Sequence, residues 1–226
     1  MVALDSSHDI PAARARTERP HAGTVALFSV LISALIAVAA MNAVPDGVTP
    51  WAYAAEMVSR FALVLFVAAM VVEPVGRLIP IDATGAAARE RPSLMFGFAF
   101  ATAVSLGCLM APVYFGTEKL AGPVTVYSAL TGFIVLVLLS SSHPATKRFL
   151  GERAWRTLQR IATAYFWLAF SLILLDKAVG PHRPDNWPGI ALLLLVGALL
   201  VRFVDTLVTH VRSPRVIVGS VAGKVA

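Results

Sequence analysis

The sequence has 226 residues, of which 58% are hydrophobic and only 14% charged, and its mean hydropathy is +0.75. Soluble domains carry about 25% charged residues, so this composition excludes an ordinary soluble domain and places the chain among membrane proteins. The net charge of +6 does not require a nucleic-acid partner, because membrane proteins concentrate Lys and Arg in their cytoplasmic connections, and none is expected. The single cysteine, Cys108, excludes an intrachain disulfide and a cysteine-based zinc or redox motif.

Six segments are long and apolar enough to be transmembrane helices, which need about 20 mostly apolar residues. They are roughly 24–43, 52–72, 94–115, 121–141, 160–176 and 187–206. The fifth is the shortest, but it begins inside a basic segment and can gain length there. Prolines such as Pro74 and Pro92 are expected in connections or at helix ends, where a missing N–H costs little. The sequence thus predicts an all-α integral membrane bundle, residues 23–210, between tails 1–22 and 211–226.

The distribution of basic residues predicts the orientation of this bundle. Fourteen Lys/Arg lie in the two tails and in the second and fourth connections, whereas three lie in the other connections. By the positive-inside rule, both termini are cytoplasmic. The first span ends in "AVAAMNA", which offers small residues of the kind found at signal-peptide cleavage sites. Its apolar core of about 20 residues exceeds a signal-peptide h-region and acidic residues precede it, so we predict a retained helix.

The most basic connection leads into the fifth span and has helical periodicity. Leu150, Ala154, Leu158 and Ile161 recur at helical spacing, with Trp155 beside them. This pattern predicts an interfacial amphipathic helix between spans four and five, with its apolar face toward the lipid. The candidate membrane-surface or partner-contact residues are Lys147, Arg148, Arg153, Trp155, Arg156 and Arg160. Two interpretations stay open: an anchor that helps to set the topology, and a docking site for a soluble partner.

Two pairs of charged residues lie within predicted spans, where charge is costly and therefore a candidate for function. Glu56 and Arg60 are four residues apart, and Arg202 and Asp205 are three apart, so each pair can meet on one helix face. We interpret both as self-neutralising pairs near span ends. A proton or ion path would need charges at several depths, and the middle portions of the spans carry none, which disfavours a small permease.

No catalytic or metal-binding constellation is present in the sequence. The histidines are His8, His21, His143, His182 and His210, and none lies in the middle of a predicted span. A bis-histidine haem needs imidazoles that project into the bundle from facing helices. A glycine-rich phosphate loop, a His-Glu-x-x-His motif and an intramembrane-protease arrangement are also missing. We therefore predict no catalytic, cofactor-binding or metal-binding residue.

Three stretches carry a resemblance to a known family. They are "SRFALVLFVAAMVVEPVGRLIP", "RERPSLMFGFAFATAVSLG" and "LLSSSHPATKRFLGERAWRTLQRIATAYFW". In order and spacing they resemble the ferric-reductase-like transmembrane family, most closely its short bacterial branch, which includes the haem-binding membrane subunit of the methionine-sulfoxide reductase system. The resemblance covers roughly residues 50–205. It implies a multi-pass protein of the bacterial inner membrane with a role in electron transport.

The sequence departs from this family at the positions of the haem ligands. In the family, histidines on the helices that correspond to spans three and five hold b-type haem. The family's Trp-x-x-Leu-His-Arg reads "WRTLQR" here, with Gln159 in place of the histidine. The other family positions fall near Ser105 in span three and near Leu172 and Ile173 in span five. Glutamine is a poor substitute for the imidazole that normally ligates haem iron.

The resemblance and the missing ligands together predict a haem-less accessory or structural subunit of a membrane redox complex. Its expected partners are the lipid bilayer and other membrane-protein subunits, and it is not expected to be an enzyme on its own. The alternative hypothesis is a b-haem-binding electron-transfer subunit of an oxidoreductase. Such a subunit would use ligands outside the family pattern, for example His143, His210 or a methionine.

Overall fold

The computed structural model describes residues 22–79, 81–116, 122–141, 149–179 and 186–212. These residues are 91% helical and contain no strand, so the predicted all-α class holds for the described part of the chain. Nearly all of both predicted tails lies outside the described residues, as do Lys147 and Arg148.

Seven helices of eight or more residues are formed by the described residues: α1 (Ala22–Asn42), α2 (Pro50–Leu78), α3 (Asp82–Arg89), α4 (Arg91–Tyr114), α5 (Gly122–Ser141), α6 (Glu152–Val179) and α7 (Trp187–Arg212). Five of them, α1, α2, α4, α6 and α7, are long and apolar enough to cross a membrane. In α5 the described apolar stretch is the shorter Val126–Leu139. A crossing by α5, which would make the sixth span, stays a prediction, and so does the cytoplasmic position of both termini.

Helix α2 is longer than the sequence predicts. It begins at Pro50, after Thr49, whose hydroxyl accepts a hydrogen bond from the Ala52 N–H at 3.4 Å. It continues through Pro74 to Leu78, which corrects the expectation that Pro74 lies in a connection or at a helix end. A proline removes one backbone hydrogen bond, and membrane helices tolerate this loss where neighbouring groups compensate. At about 1.5 Å per residue the helix is about 43 Å long, which exceeds a hydrocarbon core of about 30 Å.

Helix α6 includes most of the segment predicted to lie on the membrane surface. Gly151 has a φ of +76°, which favours glycine, and its carbonyl accepts a hydrogen bond from the Trp155 N–H at 3.0 Å. From Glu152 the helix runs without interruption for 28 residues to Val179. The fifth predicted span thus gains length in the basic segment, as expected. After Gly151 the structure does not separate an interfacial helix from that span, and a surface position for its first turns stays a prediction.

Small residues allow α1 and α4 to approach closely. Gly97 of α4 faces Ser29 of α1, and a Cβ atom at position 97 would lie 2.5 Å from both the Cβ and the Oγ of Ser29. The Ser29 hydroxyl donates to the Val25 carbonyl at 2.9 Å, and the Ser33 hydroxyl donates to the Ser29 carbonyl at 2.7 Å. Close approach at small residues is a common basis of helix association in membranes.

Four aromatic side chains fill the space between α2, α4 and α6. This phenylalanine cluster consists of Phe66, Phe98, Phe166 and Phe170. The ring centroids of Phe98 and Phe166 are 4.7 Å apart at an interplanar angle of 90°, and those of Phe66 and Phe98 are 5.0 Å apart. Phe66, Phe98 and Phe166 are at most 2% exposed. Edge-to-face and tilted contacts of this kind stabilise a core beyond the area they bury.

Candidate functional site

A cleft with a charged lining opens where α2, α4, α6 and α7 meet at one end of the bundle. Its volume is about 620 Å³. We call it the charged cleft because five arginines and three carboxylates line it, namely Arg77, Arg91, Arg156, Arg160, Arg202, Glu73, Glu152 and Asp205. Met70 and Met95 add apolar surface. The cleft is therefore positively charged overall and amphipathic.

Two carboxylates hold the α2, α4 and α7 sides of the charged cleft together. Glu73 forms ion pairs with Arg77, one turn later in α2, and with Arg91 at the start of α4. Asp205 of α7 accepts a hydrogen bond from Arg77, with its Oδ2 3.2 Å from Nη1. The Asp205 side chain is only 9% exposed. Arg77 thus joins two carboxylates on different helices, and the pairs neutralise charge that would be costly at this depth.

Asp205 has a partner that spacing within one helix does not indicate. Spacing predicts a pair between Arg202 and Asp205 within α7, and Asp205 does act electrostatically on Arg202. The ion pair of Asp205 at hydrogen-bonding distance is with Arg77 of α2. A short Asp side chain that faces a neighbouring helix meets a long arginine on that helix more easily than one on its own backbone. Arg202 is half-buried in the cleft lining. It forms no ion pair at contact distance among the described residues, but Glu73 and Asp205 lie near enough to act on its charge.

Helix α6 supplies the remaining wall of the charged cleft. Trp155, Arg156, Gln159 and Arg160 line it, and the Arg156 Nε lies 3.0 Å from Glu152 Oε1. Three predicted membrane-surface residues, Trp155, Arg156 and Arg160, thus line the cleft. Arg153 is exposed on the same helix and is not part of the lining. Contact of any of these residues with headgroups or a soluble partner stays a prediction.

A second charged network lies at the opposite end of α2. Glu56 and Arg60 lie as their spacing predicts, with Oε1 and Nη2 3.2 Å apart. The Lys177 Nζ of α6 lies 2.9 Å from the same carboxylate oxygen. The Arg60 guanidinium carbon is 5.6 Å from the ring centroid of Trp187 in α7, a cation–π distance. Residue spacing does not indicate the contacts of Lys177 or Trp187 with α2, because both residues are distant from α2 in sequence.

The positions to which the family resemblance assigns ligands are dispersed in the structure. Gln159 is half-buried and lines the charged cleft. The Ser105 hydroxyl donates to the Ala55 carbonyl of α2 at 2.8 Å. Leu172 and Ile173 are 59% and 40% exposed. These side chains therefore do not converge on one point.

The histidines and methionines of the alternative hypothesis also have separate environments. His210 is exposed and lies at a smaller opening beside the charged cleft, together with Arg77 and Asp205. His143 lies outside the described residues. Met70 and Met95 line the charged cleft itself. In the part of the chain that the structure describes, no group of three or more His, Cys, Asp or Glu residues is placed to hold a metal ion.

Five apolar helices, each long enough to cross a bilayer, make this chain a multi-pass helical membrane protein. No protein-family model, curated protein or solved structure matches the sequence. The charged cleft and the phenylalanine cluster are two places where side chains of α2, α4 and α6 come together.

Proposed function

We propose that this chain is a six-span protein of the bacterial inner membrane that serves as a haem-less accessory or structural subunit of a membrane redox complex. The observation that carries the proposal is the contact of Phe98 in α4 with Phe166 in α6, whose ring centroids are 4.7 Å apart. The family resemblance assigns the haem ligands to the helices that correspond to α4 and α6. A direct ring contact between these two helices supports a bundle whose interior is packed with side chains.

The residues at the family's ligand positions do not fit a bis-histidine haem. Ser105 directs its hydroxyl to a backbone carbonyl of α2, and Leu172 and Ile173 are exposed. Gln159 offers an amide in place of an imidazole, and it does so from the charged cleft and not from the phenylalanine cluster. Because a b-type haem depends on strong axial donors, this arrangement supports a subunit that does not carry electrons itself.

The interior supports a structural role. Phe66, Phe98 and Phe166 are almost completely buried, and such close packing leaves little freedom for rearrangement around a cofactor. The Arg77–Asp205 and Arg60–Trp187 contacts connect the two ends of α2 to α7. The Glu56–Lys177 contact connects α2 to α6. A rigid bundle of this kind is suited to present lipid-facing or partner-facing surfaces within a larger assembly.

Haem content tests the first half of this proposal. The full chain is purified in mild detergent, and dithionite-reduced minus oxidised spectra are recorded together with a haem extraction assay. We expect no stoichiometric b-type signal. One haem per chain would contradict the proposal, and loss of that signal in His143→Ala or His210→Ala would then establish the alternative hypothesis of an electron-transfer subunit with ligands outside the family pattern.

Copurification tests the second half. The chain is expressed at its natural level with an affinity tag and isolated without crosslinker, and the mass of the detergent-solubilised particle is measured. We expect other membrane-protein subunits at a fixed ratio. A particle that contains this chain alone would contradict the accessory-subunit role, whatever its haem content.

A further inference from the structure

Two arginines of the charged cleft take no part in its ion pairs. Glu73 and Asp205 are paired with Arg77 and Arg91, and Glu152 is paired with Arg156. Arg160 of α6 and Arg202 of α7 line the same cleft and form no ion pair among the described residues. The cleft thus presents two guanidinium groups, from two different helices, that form no ion pair among the described residues, although Glu73 and Asp205 lie near enough to act electrostatically on Arg202.

We propose that the charged cleft is a binding site for a phosphate group, held by Arg160 and Arg202. Guanidinium groups bind phosphate oxygens through paired N–H donors, which gives both strength and a defined orientation. Arg202 is half-buried in the second half of the membrane-spanning helix α7. Glu73 and Asp205 offset part of its charge, whereas Arg77 and Arg91 oppose it, and the charge that is left is costly in a membrane-spanning segment. A phosphate bound by Arg160 and Arg202 would neutralise that charge.

The surroundings of the two arginines fit this ligand. Gln159 and Trp155 also line the charged cleft, and each side chain carries an N–H donor. Met70 and Met95 provide apolar surface in the same cleft, next to which an alkyl portion of an amphipathic ligand can lie. Gln159, which the family resemblance marks only as a missing haem ligand, thereby gains a direct role as a phosphate hydrogen-bond donor.

Two sources share this chemistry: the headgroup of an anionic phospholipid and free inorganic phosphate. The cleft opens at the end of the spans, and basic pockets between transmembrane helices at this depth bind anionic headgroups. An acidic protein segment fits less well, because Glu73, Glu152 and Asp205 in the lining would repel additional carboxylates.

The test uses the full chain in detergent micelles that contain either phosphatidylglycerol or phosphatidylcholine. Native mass spectrometry counts retained lipids, and the thermal unfolding midpoint is measured in each micelle. We expect selective retention of phosphatidylglycerol with a higher midpoint. In the double variant Arg160→Gln/Arg202→Gln, the affinity for phosphatidylglycerol should fall about thirtyfold, from the loss of two arginine–phosphate contacts.

Matched variants separate the cleft from general surface charge. Arg89→Gln removes the same charge from α3, where Arg89 is exposed and outside the cleft lining, and it should leave retention unchanged. Arg202→Lys keeps the charge without the planar fork, and it should retain part of the binding even if the double variant does not fold. Retention in the double variant equal to that of the unmodified chain would overturn the proposal, and so would an equal loss in Arg89→Gln.

Inorganic phosphate forms the second arm of the same experiment. If phosphate raises the midpoint of the unmodified chain in phosphatidylcholine and displaces phosphatidylglycerol, free phosphate is the ligand. If phosphatidylglycerol binds and phosphate does not compete, the ligand is the headgroup. If the unmodified chain binds neither phosphatidylglycerol nor inorganic phosphate, the cleft is not a phosphate site. If it then binds polyglutamate, the cleft is a site for an acidic protein segment instead.

Discussion

The contact between Gly97 and Ser29 makes the α1–α4 interface sensitive to a single methyl group. A Cβ atom at position 97 would lie 2.5 Å from both Cβ and Oγ of Ser29, whereas carbon atoms in good contact are about 3.5–4.0 Å apart. Rotation of the serine hydroxyl cannot relieve the overlap, because the Ser29 Cβ is itself involved. In Gly97→Ala the two helices must therefore separate by about 1 Å or more.

The expected cost follows from two opposing contributions. Overpacking a close interface costs about 1–3 kcal/mol, and replacement of glycine by alanine within a helix returns up to about 1 kcal/mol. We expect Gly97→Ala to lower the free energy of unfolding by about 1–2 kcal/mol, which is about a 5- to 30-fold change in the folded-to-unfolded ratio. The measurement is an unfolding titration in mixed micelles with increasing dodecyl sulfate, followed by circular dichroism.

Gly107 provides a matched control in the same helix. A Cβ atom added at Gly107 meets nothing within 4 Å, so Gly107→Ala should be neutral or stabilising by up to about 1 kcal/mol. The second-site change Ser29→Gly removes the clashing Cβ, and in the double variant it should cancel most of the penalty of Gly97→Ala. The reasoning is refuted if Gly97→Ala behaves like Gly107→Ala, or if Ser29→Gly and Gly97→Ala are simply additive.

Three further changes test the contacts that fasten the bundle. Arg77→Met leaves the buried Asp205 carboxylate without its ion pair and should lower the free energy of unfolding by about 1–3 kcal/mol, which is less than the cost for a fully buried pair. Addition of Asp205→Asn to this variant should restore part of the lost stability. Phe166→Ala opens a cavity in the phenylalanine cluster and should cost about 3–5 kcal/mol, measured as a lower thermal midpoint. Glu56→Gln weakens the half-exposed contact to Lys177 and should cost at most about 1 kcal/mol, an effect that shrinks as salt concentration rises.

Each of these predictions has a result that would contradict it. For Arg77→Met, a further loss of stability on addition of Asp205→Asn would show that the carboxylate is not left unpaired. For Phe166→Ala the control is Phe133→Ala, because Phe133 is 66% exposed on α5, and equal midpoints in the two variants would contradict burial as the cause. For Glu56→Gln, a cost that stays constant as salt is added would argue against a charge contact.

Local sequence patterns predict much of this fold. Apolar length places α1 and α4 close to their observed bounds, because a membrane-spanning helix satisfies its backbone hydrogen bonds within its own segment. It also locates α2, α6 and α7, but each of these helices extends into charged sequence beyond its predicted apolar span. The four-residue spacing of Glu56 and Arg60 predicts a contact that the structure contains, since residues four apart are neighbours on a helix. Pro74 is the exception, because tertiary context decides whether a proline ends a helix.

The charged cleft and the phenylalanine cluster depend on contacts between distant segments. Arg77 and Asp205 are 128 positions apart, and Glu56 and Lys177 are 121 apart, so no short window of sequence contains either pair. One signal was available for the cleft: the positive-inside rule places Arg77, Arg91 and the start of α6 on the same side. A one-dimensional pattern cannot specify which of these residues share a cleft, because that depends on how the helices turn toward each other.

The ion pair between Arg77 and Asp205 also bears on the order in which the bundle is assembled. During synthesis Arg77 is made 128 residues before Asp205, so α2 can already be in the membrane when α7 is delivered to it. A helix that carries both Arg202 and Asp205 is less readily inserted alone, since each charge raises the cost of transfer into the bilayer. Arg77 would then neutralise Asp205 as α7 enters the membrane, and α7 would be inserted correctly only after α2 is in place.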